Sequence, residues 1–341
     1  MSNQPPIEVP QGAIRLNTDS QRLEFFAQDR WYEMATENAS IGNIGFRVSG
    51  TGAGATLIES FNITTLGNSH DTGFDLSTSR GAFGCSASRT RAIICGGNAP
   101  GITGSNNIQY FEMTSLSNTI DFGDLTYDAA EAGAHSNNVR LVVTGAASHA
   151  SNVINFLTVA STGSAQDFGD QANKLSSTTA CGSPTRGLFA GGAIPSITNI
   201  IEFVTIASTG NSVDFGDLTV ARYSAGSGSN NTRGLFIMGN AGSPTNQVNT
   251  IDFVTISSTG NAQDFGDSNM NDTGGPTQGA GVAASPNRIV FFGGYITGGT
   301  DRTTEMEYVN PTTRGNSTRF GDLETAQNSD GNALSSSHGG L

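Results

Sequence analysis

Lysine is almost missing from this chain. Lys174 is the only one in 341 residues, and 16 Lys and Arg against 29 Asp and Glu leave a formal net charge of −13. Nucleic acid and anionic bilayers both require a basic face, so neither is expected as a partner. No stretch approaches the ~20 successive apolar residues of a membrane helix, so no membrane insertion is expected. Met1-Ser2-Asn3-Gln4-Pro5-Pro6 carries neither the basic nor the apolar region of a signal peptide, and none is expected there. Cysteine is scarce: Cys85, Cys95 and Cys181 are odd in number and lack metal-ligand spacing. They read as small core residues, not as a disulfide framework or a metal centre. Helix-forming residues never gather in a periodic window. The four histidines, His70, His135, His149 and His338, fall at different places along the chain. Nucleophilic catalysis needs a base beside a Ser or Cys, and that scatter offers no obvious pair. No catalytic residue, metal or cofactor is expected.

What is abundant is repetition. Ile201-Glu202-Phe203-Val204-Thr205-Ile206 precedes Asp214-Phe215-Gly216-Asp217, and Ile251-Asp252-Phe253-Val254-Thr255-Ile256 precedes Asp264-Phe265-Gly266-Asp267. Looser copies lead to Asp167-Phe168-Gly169-Asp170, Asp121-Phe122-Gly123-Asp124 and Arg319-Phe320-Gly321-Asp322, and the first leads to Gly73-Phe74-Asp75. The six phenylalanines Phe74, Phe122, Phe168, Phe215, Phe265 and Phe320 are spaced 46 to 55 residues apart. A period of that size marks a propeller or a solenoid. Glycine (45 residues) with short β-branched and aromatic runs makes the class all-β.

Each unit divides into four strands. Arg186-Gly187-Leu188-Phe189-Ala190 ends in the pair Gly191-Gly192, and similar pairs stand at Gly96-Gly97 and Gly293-Gly294. Glycine pairs allow close backbone approach between neighbouring blades. Asn199 to Ser208 and Val213 to Gly216 supply two more strands. A stretch of small residues, Ala221 to Ser227, fits the crowded axis and is expected innermost. The first unit begins at Phe46 without such a strand, while the chain runs on past Asp322 through Leu323-Glu324-Thr325-Ala326-Gln327 to Ser337. That tail is expected to supply the innermost strand of blade one, closing a six-bladed ring and removing its exposed edges. The domain division is 1–44 and 45–341. In the first part, after a lead at Pro5, Pro6 and Pro10, three short strands with turns at Asn17-Thr18-Asp19-Ser20 and Ala27-Gln28-Asp29-Arg30 form a β-meander. So few residues cannot bury enough surface alone, so Phe25, Phe26, Trp31 and Tyr32 are expected to pack on the ring, on another copy or on a docking partner.

In kinases the aspartate of Asp-Phe-Gly holds magnesium, but nothing of a kinase surrounds these copies, and a catalytic group is not copied into every blade. Phe122, Phe168, Phe215, Phe265 and Phe320 are expected to plug between sheets, with Asp and Gly making the turn into the next blade. Calcium at the aspartate-rich turns is the alternative. Arg91, Arg140, Arg186, Arg233 and Arg288 share one register and are expected to pair with carboxylates such as Glu202, Asp217 and Asp267. A ring of arginines reading an anion is the alternative. The glycine-rich stretch 50–54 lacks the βαβ unit of a phosphate loop. His135, His338 and Tyr223 are the best candidates for a convergent axial site. Tyr110, Tyr223, Tyr295 and Tyr308 are expected mostly within strands.

The glycine-ended strands and the closure resemble kelch-type propellers over about 290 residues, although the tryptophan of each kelch repeat is absent. The Tyr-Cys-His copper constellation of kelch-type oxidases and the aspartate boxes of propeller sialidases are also missing. Thr185 to Gly192, Ile201 to Asn211 and the Asp-Phe-Gly-Asp motif are similar to repeats of structural and tail-fibre proteins of marine bacteriophages. Gly12 to Phe26, followed by Trp31, is similar to a short β-module of phage virion proteins. The resemblance implies a virion structural protein, tail- or fibre-associated and not an enzyme, assembled in the host cytoplasm. It would use a rigid propeller for assembly or host-surface contact. Other virion proteins would be its partners, with a host-surface glycan a further one, in multiple copies following tail symmetry. The alternative is a glycan-binding or glycan-cleaving propeller.

Overall fold

The computed structural model describes residues 9–17, 22–28, 30–33, 43–48, 56–99, 101–145, 151–193, 196–242, 246–270, 277–296, 302–325 and 332–341. Pro5 and Pro6, the turn residues Thr18, Asp19, Ser20 and Asp29, the stretch 50–54, His149, and Ala326-Gln327 lie outside them. The chain divides into two compact units, 1–40 and 41–341. The division falls ahead of residue 44 because Ile44 already opens a blade strand.

The first unit is a three-stranded antiparallel sheet of β1 (Ile14–Asn17), β2 (Arg22–Ala27) and β3 (Arg30–Glu33), in that order. Its register sets Phe25 opposite both Ile14 and Tyr32, and Phe26 opposite Trp31. Phe26 and Trp31 meet edge to face at 5.3 Å between centroids, and Arg15 lies over the indole at 4.1 Å while pairing with Glu24 at 2.7 Å.

The second unit is a six-bladed β-propeller. Blade one contains β4 (Ile44–Val48), β5 (Leu57–Asn62) and β6 (His70–Asp75). Blade two is β7 (Gly84–Ala87), β8 (Arg91–Cys95), β9 (Ser105–Glu112) and β10 (Ile120–Ala129). Blade three is β11 (Gly133–Ser136), β12 (Arg140–Thr144), β13 (Val153–Thr158) and β14 (Gln166–Asp170). Blade four is β15 (Thr179–Gly182), β16 (Arg186–Ala190), β17 (Ile200–Thr205) and β18 (Val213–Asp217). Blade five is β19 (Gly226–Ser229), β20 (Arg233–Ile237), β21 (Thr250–Thr255) and β22 (Gln263–Asp267). Blade six is β24 (Gly281–Ala284), β25 (Ile289–Phe292), β27 (Glu305–Val309) and β28 (Thr318–Asp322), with a side hairpin of β23 (Thr277–Gln278) and β26 (Tyr295–Ile296). The final strand, β29 (Asn332–Ser335), pairs antiparallel with β4 and completes blade one.

The innermost strands β29, β7, β11, β15, β19 and β24 neighbour one another around the axis. They are built from small residues because six backbones converge there: a Cβ on Gly226 would lie 2.6 Å from Val282 Cγ2. The inner strand of blade five begins only at Gly226, later than the expected Ala221. Ser224 turns the chain with φ 49°, and Arg222 is fully buried before it. The second strands are buried almost throughout, since Leu188, Phe189, Leu235 and Phe236 are covered from both sides by neighbouring blades.

Three joints repeat around the ring. The first is the Asp-Phe-Gly-Asp segment, which is the outermost strand of its blade and not the turn into the next one. A β-bulge at Phe-Gly re-aims the strand in β14, β18, β22 and β28. Phe122, Phe168, Phe215, Phe265 and Phe320 are thereby buried, each edge to face with an aromatic of the adjacent strand at 5.5–6.0 Å. The glycine that follows abuts a glycine in the outer hairpin of the next blade. Gly216 takes φ 145°, and a Cβ there would sit 2.5 Å from the carbonyl carbon of Gly260. The Gly260 amide donates to the Phe215 carbonyl at 2.7 Å, and the Asp217 amide donates to Asn261 Oδ1 at 3.1 Å.

The second joint is a buried polar residue at one position of every third strand: Glu59, Gln109, Asn155, Glu202, Asp252 and Glu307. In five blades it catches the loop arriving from the blade before. Glu202 accepts from Asn173 Nδ2 at 3.0 Å and from Ser212 Oγ at 2.6 Å. Asp252 accepts from the Thr219 hydroxyl at 2.6 Å and from Arg222 at 2.9 Å. Glu59 accepts from the Thr325 hydroxyl at 2.7 Å and pairs with Arg47 at 2.7 Å. Asn155 and Glu307 accept from the Thr126 and Ser268 hydroxyls, whereas Gln109 accepts from Thr119 of its own blade. Burial pulls the Arg222 guanidinium below its ordinary value, with Asp252 opposing that pull.

The third joint is the arginine register, and here the expectation of carboxylate partners is overturned. Arg140, Arg186 and Arg233 lie over Phe156, Phe203 and Phe253 at 4.7–4.8 Å, and Arg91 and Arg288 over Tyr110 and Tyr308 at 4.5 and 4.4 Å. Each also donates to a backbone carbonyl of the following blade: Val159, Ile206, Ile256, Pro311 and Ile63. A flat cation between a ring and a carbonyl satisfies both. Glu202, Asp217 and Asp267 take no part, because Glu202 is committed to the loop it catches. Of the five, Arg91 also pairs with a carboxylate among the described residues, Glu112 at 2.5 Å.

Two substitutions test the joints. Gly216→Ala forces a Cβ into backbone, so we expect a loss of about 2–5 kcal/mol in denaturant unfolding. Asp252→Ala leaves the Arg222 cation buried and unpaired, with an expected loss of about 3–5 kcal/mol. In both cases the urea midpoint is the measurement.

The axial channel as a candidate functional site

Closure of the inner strands leaves a channel along the axis, and its two ends differ. At one end the residue two positions before five of the inner strands is left-handed: Ala82, Glu131, Ser177, Ser224 and Gly279 take φ of 54°, 52°, 55°, 49° and 70°. These residues form a rim stitched by backbone bonds. Glu131 N donates to Ala82 O at 2.5 Å, Ser224 N to Ser177 O at 3.0 Å, and Gly279 N to Ser224 O at 2.7 Å. Four non-glycine residues held in this conformation at equivalent places are a strained feature of the kind that gathers at functional sites.

The rim opens on a funnel of about 260 Å³. Tyr223 and Tyr295, the hydroxyls of Ser177, Thr179 and Ser224, and the amides Gln278 and Asn332 line it, with Glu131 the one carboxylate among the described residues. Ser177 Oγ donates to Glu131 Oε2. Thr178 lines it too, and its buried hydroxyl has no hydrogen-bond partner among the described residues. Tyr110 and Tyr308 do lie within strands, under arginines. Tyr223 departs from that expectation, whereas Tyr295 meets it in a two-residue strand at the rim. Tyr223 stands on the lead-in to β19, bridged to Asn240, and Tyr295 opens β26. Because the lead-in is extended just before a left-handed turn, its aromatic is delivered to the rim. The sequence signal that could have found the site is this position before the small-residue strand.

At the other end the segment 336–341 folds back into the channel. There His135 of β11 and His338 meet with ring centroids 5.5 Å apart. His338 Nε2 donates to Ala87 O at 2.6 Å, and its Nδ1 accepts from the Gly340 amide at 3.0 Å. His135 Nε2 donates to Ser183 O at 3.2 Å. Carbonyl partners fix both rings as neutral Nε2–H tautomers. Burial lowers the His135 imidazole to about 3, with His338 adding to the shift, and burial lowers His338 to about 4. Ser136 lies 3.4 Å from His338 Nε2, but its hydroxyl donates to Ala87 O at 2.6 Å. With a proton already on Nε2, that imidazole cannot take another from Ser136, so the pair is not an activated nucleophile. Cys181 beside it is buried, and its thiol is pushed up to about 12 by that burial. A void of about 40 Å³ lies between funnel and plug, sharing Cys85, Ala134, Ala180, Ser227 and Ala333 with the funnel.

His135 and His338 are thus brought together, while Tyr223 stands apart at the opposite, open end. Among the described residues no group of three His, Cys, Asp or Glu side chains converges to hold a metal. Of the docking residues, Phe26 and Trp31 contact each other, while the side chains of Phe25 and Tyr32 lie outside the described residues. Fold and site together define a six-bladed β-propeller with an axial channel open at one end and plugged at the other. No protein-family profile and no curated protein matches the chain.

The buried pair predicts an acid-labile ring. Both imidazoles stay neutral when folded, while the unfolded chain takes up protons near its ordinary value of 6.5. Stability contributed by the neutral pair is therefore present above pH ~6.5 and lost as the pH falls toward ~4. We expect the melting temperature to fall less steeply over that window in His135→Gln/His338→Gln than in the parent, measured by calorimetry across a pH series.

Proposed function

We propose that this chain is a structural component of a phage particle, tail- or fibre-associated, in which a rigid kelch-like propeller is mounted through its amino-terminal sheet. The observation that carries this reading is the division into two unlike units. One is a ring in which every blade is joined to its neighbours. The other is a three-stranded sheet too small to be stable on its own surface, with Ile14, Phe25 and Tyr32 in one cross-strand row. A row of apolar residues on a small sheet suits docking to another virion protein. The sequence resemblance to phage structural repeats supplies the setting: a solvent-facing part of the virion, assembled in the host cytoplasm and present in multiple copies.

Mass spectrometry of purified particles tests the reading directly, and the chain is expected among the tail or fibre proteins. A version lacking residues 1–40 should fold with the parent's melting temperature and be missing from particles. Its incorporation at normal levels would remove the docking role.

A further inference from the structure

We propose that the open end of the axial channel is a binding site for a single neutral sugar ring. This inference rests on the funnel alone and stands or falls separately from the particle reading.

Size comes first. A space of about 260 Å³ is just below the ~300–1,000 Å³ of clefts that hold drug-sized ligands, which suits one ring and not a nucleotide or a peptide. Lining chemistry comes second. Two half-buried phenol rings, Tyr223 and Tyr295, offer flat apolar faces with polar tips. The hydroxyls of Ser177, Thr179 and Ser224 and the amides of Gln278 and Asn332 offer donors and acceptors around them. A sugar ring has the complementary pattern, with axial C–H bonds for an aromatic face and hydroxyls at its edge.

Charge then narrows the class. Among the described residues no Lys, Arg or His side chain lines the funnel, and Glu131 is the one carboxylate that does. Arg302 is stacked 5.3 Å over the Tyr295 ring and does not belong to the lining. A phosphate, a sulfate or an acidic sugar would meet Glu131 with nothing in the wall to neutralise it. A neutral sugar accepts a carboxylate as a bidentate partner for adjacent hydroxyls. Preorganisation is the last element. The rim residues are fixed by backbone bonds from blade to blade, so little order has to be gained on binding.

The test uses the full chain with saturation-transfer NMR and calorimetry. Its probes are glucose, galactose, mannose, fucose, N-acetylglucosamine and N-acetylgalactosamine, with N-acetylneuraminic acid and choline as charged comparators. We expect saturable binding of at least one neutral sugar. Tyr223→Ala and Tyr295→Ala should each weaken it about tenfold or more, close to 1.4 kcal/mol. Tyr223→Phe and Tyr295→Phe keep the ring and should retain binding, which guards against an alanine variant that fails to fold. His338→Gln, at the plugged end, should bind as the parent does. Three results would each overturn the proposal: no neutral sugar saturating the site up to about 50 mM, several times a Kd of ~10 mM; binding unchanged in both alanine variants; or binding of the charged comparators alone.

Discussion

The ring depends on backbone meeting backbone at the edges of five of its six blades. Where Gly216 abuts Gly260, and Gly169 abuts Gly210, two main chains come closer than any side chain would allow. The Phe215 carbonyl then receives an amide from the neighbouring blade, so consecutive sheets are held by a bond of fixed length and direction. Apolar packing is non-directional and would tolerate a range of angles between two sheets. Spacing set by these glycine contacts tolerates very little. Five of the six steps around the ring carry such a contact, β29 comes to lie beside β4, and the axial channel exists only because the steps add up to a full turn.

Inside that frame the other joints settle how polar groups are buried. Glu202 and Asp252 sit in strand interiors where an apolar residue would ordinarily be expected. They are tolerated because each carboxylate is filled by hydroxyls, an amide or a guanidinium from the loop it holds. The arginines solve a different problem. Each covers an aromatic face that would otherwise be open at the blade margin, and its remaining N–H groups reach the next blade's carbonyl. Blade one departs from the pattern. Ile44 opens its second strand, at the place the arginines hold elsewhere, and packs against the apolar cluster shared with blade two. The joint next to the seam is thus apolar where the other five are cationic.

Much of this was legible in the sequence. The period of the phenylalanines and the small-residue strands named the architecture, and the run past Asp322 located the closing strand. Side-chain partners were not legible. An arginine in register with acidic residues invites an ion pair, yet Arg186 and Glu202 have opposite duties, because one lies at a strand start near the margin and the other in a buried strand centre. Val213 to Gly216 reads as a strand, but the Asp and Gly of the Asp-Phe-Gly-Asp copies suggest a turn into the next blade because both residues favour turns. In the folded chain the same residues make a bulge within a strand, a distinction that only the pairing register reveals. The place of Tyr223 was not legible either, because a tyrosine among small residues is compatible with both a strand and its lead-in.

The plug formed by residues 336–341 has a geometric consequence. A bore open at both ends could be strung along a polymer like a bead, gripping it anywhere. This one bottoms out at His135 and His338, so whatever occupies it must enter and depart through one mouth. Such a socket admits a tip and excludes a middle, and an extended molecule could be held there only by its terminus or by a side branch.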